Sequence, residues 1–374
     1  MLNIELLEKR QCLTYGPMPV EPPIPSEPLF PDDAVADFDL EILYRSYSIA
    51  GIDFKEMREL ISSTADGGYT NRLEYLQLQR YLRLSDMPDY VQYFADATLH
   101  GNYTTSDTIL FKDPQHLLDK WFNGKDLPDT PGSEYPYVEV KGQLFVDGIT
   151  PDDPDQGRIG DCYFITALGA TAQNCPEVIS NMIKEVDENI WVVRFYDLAE
   201  EKQFVTVNNE LPYMPNFWNP EIKRNSVFAD WGTDPNDVNN ELWPALLEKA
   251  FAQAAPNRLI RDRPNSYESI ESGDPSWAFR YLAGQREIRI KGLSKQDHIN
   301  YIEDNKPIMT WLVSQNHTYT FESYDAQEDK FFLRNPWGTH HIYMTWEELS
   351  DLPIVGSVYG GYVVDVNAEI LETL

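Results

Sequence analysis

Cys162 closes the run Gln156-Gly-Arg-Ile-Gly-Asp-Cys162 and opens a helix-compatible stretch that reaches Asn174. A thiol in the first turn of a helix faces unpaired N–H groups and the positive end of the helix dipole, which lower its pKa and favour the thiolate. A thiolate nucleophile also needs a base that holds and returns a proton, and a third group that orients that base. Six histidines are available. His317 stands at the start of a predicted strand, Thr318 to Tyr324, and Asn335 follows another, Lys330 to Arg334. Cys12 and Cys175 read as packing thiols, because a buried free cysteine is ordinary core material. His340 and His341 are adjacent, a poor geometry for two ligands of one tetrahedral metal, and they join His100, His116 and His298 as surface or satisfied residues. Three cysteines without a Cys-x-x-Cys pair exclude a disulfide framework and give no sign of zinc or dithiol redox chemistry.

These side chains need a folded scaffold, and the chain is long enough to build one. Its 374 residues leave room for two or three domains, and 42% hydrophobic content is that of a globular protein. The 61 acidic against 30 basic residues give a net charge of -31, which argues against nucleic-acid partners and against docking on an anionic membrane. That charge is spread along the chain, -9 over residues 1–100 and -22 over the rest, so no acidic tail stands out. Met1 to Leu13 carries Glu5, Glu8, Lys9 and Arg10 without an apolar core, unlike a signal peptide, and no apolar run approaches the roughly 18 residues of a membrane span. An intracellular, cytoplasmic setting without membrane insertion is the expectation.

Seven prolines between Pro17 and Pro31 mark residues 1–35 as an extended spacer or strap. Over 36–100 the apolar spacing is helical: Leu40, Leu43, Tyr44 and Tyr47 share a face, and Phe54, Met57 and Ile61 continue the period. The segment resembles a helix-loop-helix, but Ser46 to Asp53 lacks the alternating carboxylates of an EF-hand. Residues 101–155 are loop-rich and punctuated by proline. Beyond the Cys162 helix, Trp191 to Tyr196 and Gln203 to Val207 read as strands, and Glu241 to Ala252 as a helix with Pro244 in its first turn. Strands are expected again at Glu287–Ile290, Ile308–Val313, Thr318–Tyr324 and Lys330–Arg334. The fold class is therefore α+β: a helical accessory region at 36–100, a lobe at 101–284 carrying Cys162, and a β-rich lobe at 285–374 carrying His317 and Asn335, with a cleft between the lobes.

The Cys, His, Asn order places His317 and Asn335 155 and 173 residues after Cys162. That is on the scale of papain-like thiol proteases, though longer than their roughly 130–150. The motifs are more specific. Gln156-Gly-Arg-Ile-Gly-Asp-Cys162 resembles the catalytic signature of the calpain family, Asn316-His317-Thr-Tyr319 its histidine segment, and Arg334-Asn-Pro-Trp-Gly338 its asparagine motif. Glu241-Leu-Trp-Pro-Ala-Leu-Leu-Glu-Lys-Ala-Phe251 is similar to the helix that calpains carry between them, so the resemblance spans about residues 110–350.

The resemblance implies a two-lobed intracellular cysteine endopeptidase acting on proteins or peptides. Cys162 would be the nucleophile, His317 the acid and base, and Asn335 the orienting residue. Gln156 would donate to the oxyanion, and Trp337 would shield the His–Asn bond. No cofactor is required for that chemistry. A regulatory Ca²⁺ site in the first lobe would use carbonyls of Val146 and Gly148 and carboxylates of Asp153 and Glu241, hard oxygen ligands of the right kind. The second-lobe Ca²⁺ site lacks its acidic insertion, since Trp337-Gly338 runs almost directly into His341. Nothing resembles the family's C-terminal β-sandwich or penta-EF-hand domain. Two residues depart from the pattern: Tyr163 stands where Trp is usual and is expected to keep an aromatic wall, and Asn316 replaces a Gly before the histidine. Those departures support an alternative, a catalytically silent calpain-like scaffold that binds a partner through its N-terminal helices. Acyl transfer to an amine, as in transglutaminases, is disfavoured because it would need Asp in place of Asn335.

Overall fold

The computed structural model describes residues 37–47, 51–102, 106–131, 135–214, 226–256, 263–284, 294–312 and 315–351. The Pro-rich segment 1–35, with Cys12, and the strand expected at Glu287–Ile290 lie outside these residues.

The N-terminal part is helical: α1 (Phe38–Tyr47), α2 (Phe54–Ser63), α3 (Arg72–Leu84), α4 (Asp89–His100) and α5 (Gln115–Trp121). Local chemistry sets the starts. Asp53 and Glu56 form a reciprocal capping box at α2, and Asn71 and Glu74 do the same at α3, each cap contributing about 1 kcal/mol. The apolar period seen in sequence is thus divided between α1 and α2, and the Asp53 cap explains why the second helix begins anew. Leu40, Met57, Leu60, Ile61, Leu78, Val91, Phe94 and Trp121 bury a common core that also takes in Val192 and Phe204. Those two residues belong to the next unit, so the helices lie against its sheet rather than standing apart. Polar ties reinforce the contact: Tyr93 Oη donates to Gln203 Oε1 at 3.0 Å, and Lys55 and Arg58 both pair with Asp187.

The first lobe is built on α6 (Cys162–Asn174), α7 (Pro176–Ser180), the antiparallel sheet β2 (Ile183–Asp187), β3 (Ile190–Tyr196), β4 (Lys202–Asn208), and α8 (Trp243–Ala254). A short pair, β1 (Tyr137–Glu139) with β5 (Glu210–Pro212), closes one side, and α9 (Pro275–Ala283) packs on α6 and β3. Pro244 stands in the first turn of α8, where its missing N–H costs nothing. Every residue of α8 is buried, Glu248 and Lys249 included. Lys249 is tolerated there because its three ammonium protons have three acceptors, Asn208 O, Asn208 Oδ1 and Glu210 O, at 2.6 to 2.9 Å.

The second lobe is a four-stranded antiparallel sheet, β6 (Met309–Leu312), β7 (His317–Asp325), β8 (Lys330–Arg334) and β9 (Ile342–Thr345), flanked by α10 (Lys295–Glu303) and α11 (Trp346–Asp351). The two lobes meet where α6 runs beside β7. Thr166 Oγ1 donates to Thr318 O at 3.2 Å, Thr320 Oγ1 donates to Thr166 O at 3.3 Å, and Gln173 Nε2 donates to Glu322 O at 3.0 Å. A second seam joins the loop before α6 to the turn after β8: Gln156 N–H donates to Pro336 O at 2.7 Å, and Arg334 pairs with Asp152 and Glu322. Gly338 (φ 68°) is required in that turn, since a Cβ would meet Asp155 Oδ1 at 2.0 Å. These two seams fix the start of α6 opposite the start of β7.

Candidate active site

Cys162 is the first residue of α6, at the point where the chain turns out of Gly160 and Asp161. Asp161 occupies the N-cap position (φ -104°, ψ 25°), but its side chain makes no cap bond. Gly157 lets the loop pass: a Cβ there would lie 2.1 Å from Phe228 O.

On the other lobe, Asn316 adopts a left-handed backbone (φ 49°) and His317 then begins β7. Asparagine is among the few residues other than glycine that take this conformation easily, so the Asn316 departure preserves the turn. His317 is buried, and its Nε2 lies 2.9 Å from Asn335 Oδ1. With Nε2–H as donor to the amide oxygen, Nδ1 is the free acceptor of the ring. Asn335 is itself held, its Oδ1 taking the Trp337 N–H at 3.0 Å and its own N–H reaching His341 Nδ1 at 3.2 Å. The Trp337 ring, 47% exposed, packs 4.5 Å from the His317 ring at 38°, between the buried His–Asn bond and solvent.

The thiol itself meets a residue that sequence patterns did not flag. Cys162 Sγ is 3.7 Å from Thr318 Oγ1, and among the described residues no hydrogen bond joins it to His317. Burial pushes the Cys162 thiol above its usual range and the Asp161 charge adds to this, while bonds from Thr318 and the Tyr163 N–H oppose it. Burial likewise pushes the His317 imidazole down, partly offset by Asn335. Both shifts favour the neutral thiol and neutral imidazole. The lowered thiol pKa expected from the helix start is therefore reversed, because desolvation of a mostly enclosed sulfur outweighs the helix N–H groups.

Gln156 is buried and its Nε2 donates to Ile159 O at 2.7 Å. Tyr163 corrects an expectation. It forms no wall at the surface but is buried in the first-lobe core, its hydroxyl donating to Ile270 O at 2.9 Å and its ring packed on Phe251. Gly273 leaves the space it fills, since a Cβ there would be 2.1 Å from the Tyr163 ring.

Of the four oxygen-ligand candidates, Glu241 and Asp153 are tied to the start of α8, and Val146 to Glu241 through its N–H, while among the described residues no hydrogen bond brings Gly148 to them. Glu241 Oε1 accepts the Val146 N–H at 2.8 Å. Asp153 accepts from Thr150 N–H at 2.7 Å, Thr150 Oγ1 at 2.5 Å and Trp243 Nε1 at 3.2 Å. Asp147 (φ 56°) and Gly148 (φ 107°) curl the loop, with open space beside Gly148. Glu241 is pushed up to about 7, first by burial and then by the charges of Asp153 and Asp147. Among the described residues, the three acidic residues whose ligand atoms lie within 4.8 Å of one another are elsewhere, Asp37, Asp66 and Glu74 of the helical region.

Comparison with known proteins decides the family. The sequence model of calpain family cysteine proteases matches residues 120–309, just over half of the chain. This chain belongs to the calpain family. The match includes Gln156, Cys162, Asp153 and Glu241, and His317 and Asn335 follow beyond it. Calpain-13 of Rattus norvegicus is 30% identical over 52% of this chain and 30% of its own length, and calpain-5 of Mus musculus 27% identical over 44% and 24%. A thiol protease of Porphyromonas gingivalis is 24% identical over 57% of this chain and 50% of its own. The chain thus spans about a quarter to a half of the lengths of these relatives. The match covers the first lobe and stops where the second-lobe sheet begins, and among the described residues no helix is long and apolar enough to cross a membrane.

Proposed function

We propose that the chain is a calpain-like cysteine endopeptidase that hydrolyses peptide bonds in protein or peptide substrates. The observation that carries this is the 2.9 Å His317–Asn335 bond at the head of β7, one residue from the Thr318 side chain that touches Cys162. In the reaction His317 Nδ1 takes the thiol proton and Cys162 sulfur attacks the peptide carbonyl carbon. The developing oxyanion accepts from the side-chain amide of Gln156. Collapse breaks the C–N bond, with His317 returning its proton to the leaving amine. Water, deprotonated by His317, then hydrolyses the thioester and restores the thiol. Asn335 holds the ring in the required tautomer, and Trp337 keeps the bond between them dry, which strengthens it. Pairing of Cys162 with His317 requires the thiol to leave Thr318.

Val146 and Gly148 carbonyls with the Asp153 and Glu241 carboxylates would hold a Ca²⁺ ion in the first lobe. Bound there, the ion supplies charge neutralisation that fixes the 145–153 loop to the start of α8. Residues 36–100 serve as an accessory region in this reading, with residues 101–284 and 285–374 as the lobes. Neither nucleic acid nor membrane insertion enters it, and a free thiol suits a reducing intracellular setting.

A second reading has one observation in its favour: a thiol bonded to Thr318 and held neutral is also what a silent, partner-binding scaffold would show. Cleavage of an unfolded protein, with Ca²⁺ and with chelator, separates the two. The protease reading expects turnover by the full chain and none by Cys162→Ser or His317→Ala; absence of turnover under every condition favours the scaffold.

A further inference from the structure

One histidine next to the site has no part in the proposed chemistry. Asn335, the residue that orients His317, is 2% exposed and is engaged at every polar atom. Its Oδ1 takes the His317 ring at 2.9 Å and the Trp337 N–H at 3.0 Å. Its Nδ2 donates to His340 O at 3.4 Å, and its carbonyl accepts the Gly338 N–H at 3.1 Å. The remaining group, its backbone N–H, has a side chain for a partner: His341 Nδ1, at 3.2 Å. His340 takes a left-handed backbone (φ 56°), which histidine adopts more readily than most residues, and its carbonyl and the next side chain both face Asn335. The His341 ring also packs nearly edge-on against Phe332 of β8, at 5.3 Å.

An imidazole nitrogen accepts only while it carries no proton. The bond therefore fixes His341 as its neutral Nε2–H tautomer. A proton on Nδ1 would set N–H against N–H, and the buried Asn335 has no water to turn to instead. The surroundings favour the neutral ring: burial first, then the charge of Arg334 on β8, with His340 acting in the same sense. Glu322 of β7 and Asp152 of the first-lobe loop pull the other way, but both are already paired with Arg334. We propose that neutral His341 is the positioning residue that holds Asn335, and through it the His317 ring, and that protonation of His341 Nδ1 releases them. That the release slows turnover rests on the protease reading; the bond and its loss in acid do not.

Nuclear magnetic resonance of the full chain, ¹⁵N-labelled at histidine and asparagine, reads the bond directly. At pH 8 a scalar coupling is expected between the Asn335 amide nitrogen and His341 Nδ1, with the ring in its Nε2–H tautomer. Both should be lost together as His341 protonates, below the ordinary histidine value of 6.5. A protonated Nδ1 at pH 8, or no coupling, overturns the proposal. Turnover adds a readout that a merely structural role would not move. His341→Asn sets an amide oxygen on Cγ, where the imidazole carries Nδ1, and accepts the Asn335 N–H at every pH; His341→Ala leaves that N–H without an acceptor. At pH 8 the asparagine variant should keep the wild-type kcat and the alanine variant lose about tenfold, a fraction of what an ångström of misplacement costs. The ratio of wild-type to His341→Asn kcat, in which the titration of His317 cancels, should then fall about tenfold on the acid side of the His341 step. A ratio constant with pH, or an alanine variant as active as the wild type, overturns the proposal. If His341→Ala fails to fold, the ratio and the coupling still decide. If the chain cleaves nothing, the protease reading fails alone, and the coupling with its loss in acid still tests the bond.

Discussion

The Cys162 thiol and the Thr318 hydroxyl lie 3.7 Å apart, across the seam where α6 of one lobe meets β7 of the other. This contact stabilises the thiolate form against a larger opposing effect of burial. Thr318→Val keeps the shape and removes the donor, so it should slow Cys162 alkylation at neutral pH by about fivefold, the equivalent of one hydrogen bond of about 1 kcal/mol. Unchanged or faster alkylation would mean that the hydroxyl does not support the thiolate.

The two site titrations run in opposite senses. Burial raises the Cys162 thiol and lowers the His317 imidazole, so in the free chain neither is charged at neutral pH. The alkylation rate without Ca²⁺ or substrate should therefore still be climbing at pH 9, following the thiol alone. A plateau already reached near pH 6 would reveal a pre-formed thiolate–imidazolium pair.

Asn335 carries two jobs on one oxygen, accepting from the His317 ring and from the Trp337 N–H. Asn335→Ala frees the imidazole to rotate and loosens the turn that places Trp337 over it. Misplacing a catalytic base by an ångström costs on the order of 10²-fold. Steady-state kinetics should show that loss mainly in kcat, while alkylation of Cys162, which needs no oriented base in this conformation, changes much less.

Much of this site was legible in the sequence, and the part that was not is long-range. The Cys162–Asn174 helix and the His317 and Lys330 strands follow from local patterning, and the structure places them at Cys162–Asn174, His317–Asp325 and Lys330–Arg334. The α8 helix starts two residues later than expected because Glu241 is drawn into a bridge with Gln143. Strand β2 was missed because its five residues are mostly polar or half-exposed and pair only by joining β3. The direction of the thiol shift and the Thr318 contact depend on residues 156 positions apart being packed together, which no local spacing reports.

One tie between the helical region and the first lobe is electrostatic. Asp187 on β2 receives Lys55 at 2.7 Å and Arg58 at 2.5 Å from α2, and these hold its carboxyl down at about 2, the Lys55 bond first. A folded-state pKa below the unfolded value means stability that is present above pH 4 and lost as pH falls through about 2. Urea titrations should find Asp187→Asn less stable by about 1 kcal/mol at pH 7, a modest figure because both cations are partly exposed and screened. The gap should close by pH 2, and a gap that stays constant would assign the loss to something other than charge.

The most direct measurement of the central claim is competitive labelling of the three cysteines by a peptide epoxide, read by mass spectrometry of the full chain. With Ca²⁺ present and the peptide seated, so that the thiol has left Thr318 for His317, Cys162 labels far faster than Cys12 or Cys175, and His317→Ala removes most of that advantage. Equal labelling of all three, or a Cys162 rate indifferent to His317, would contradict a thiol protease.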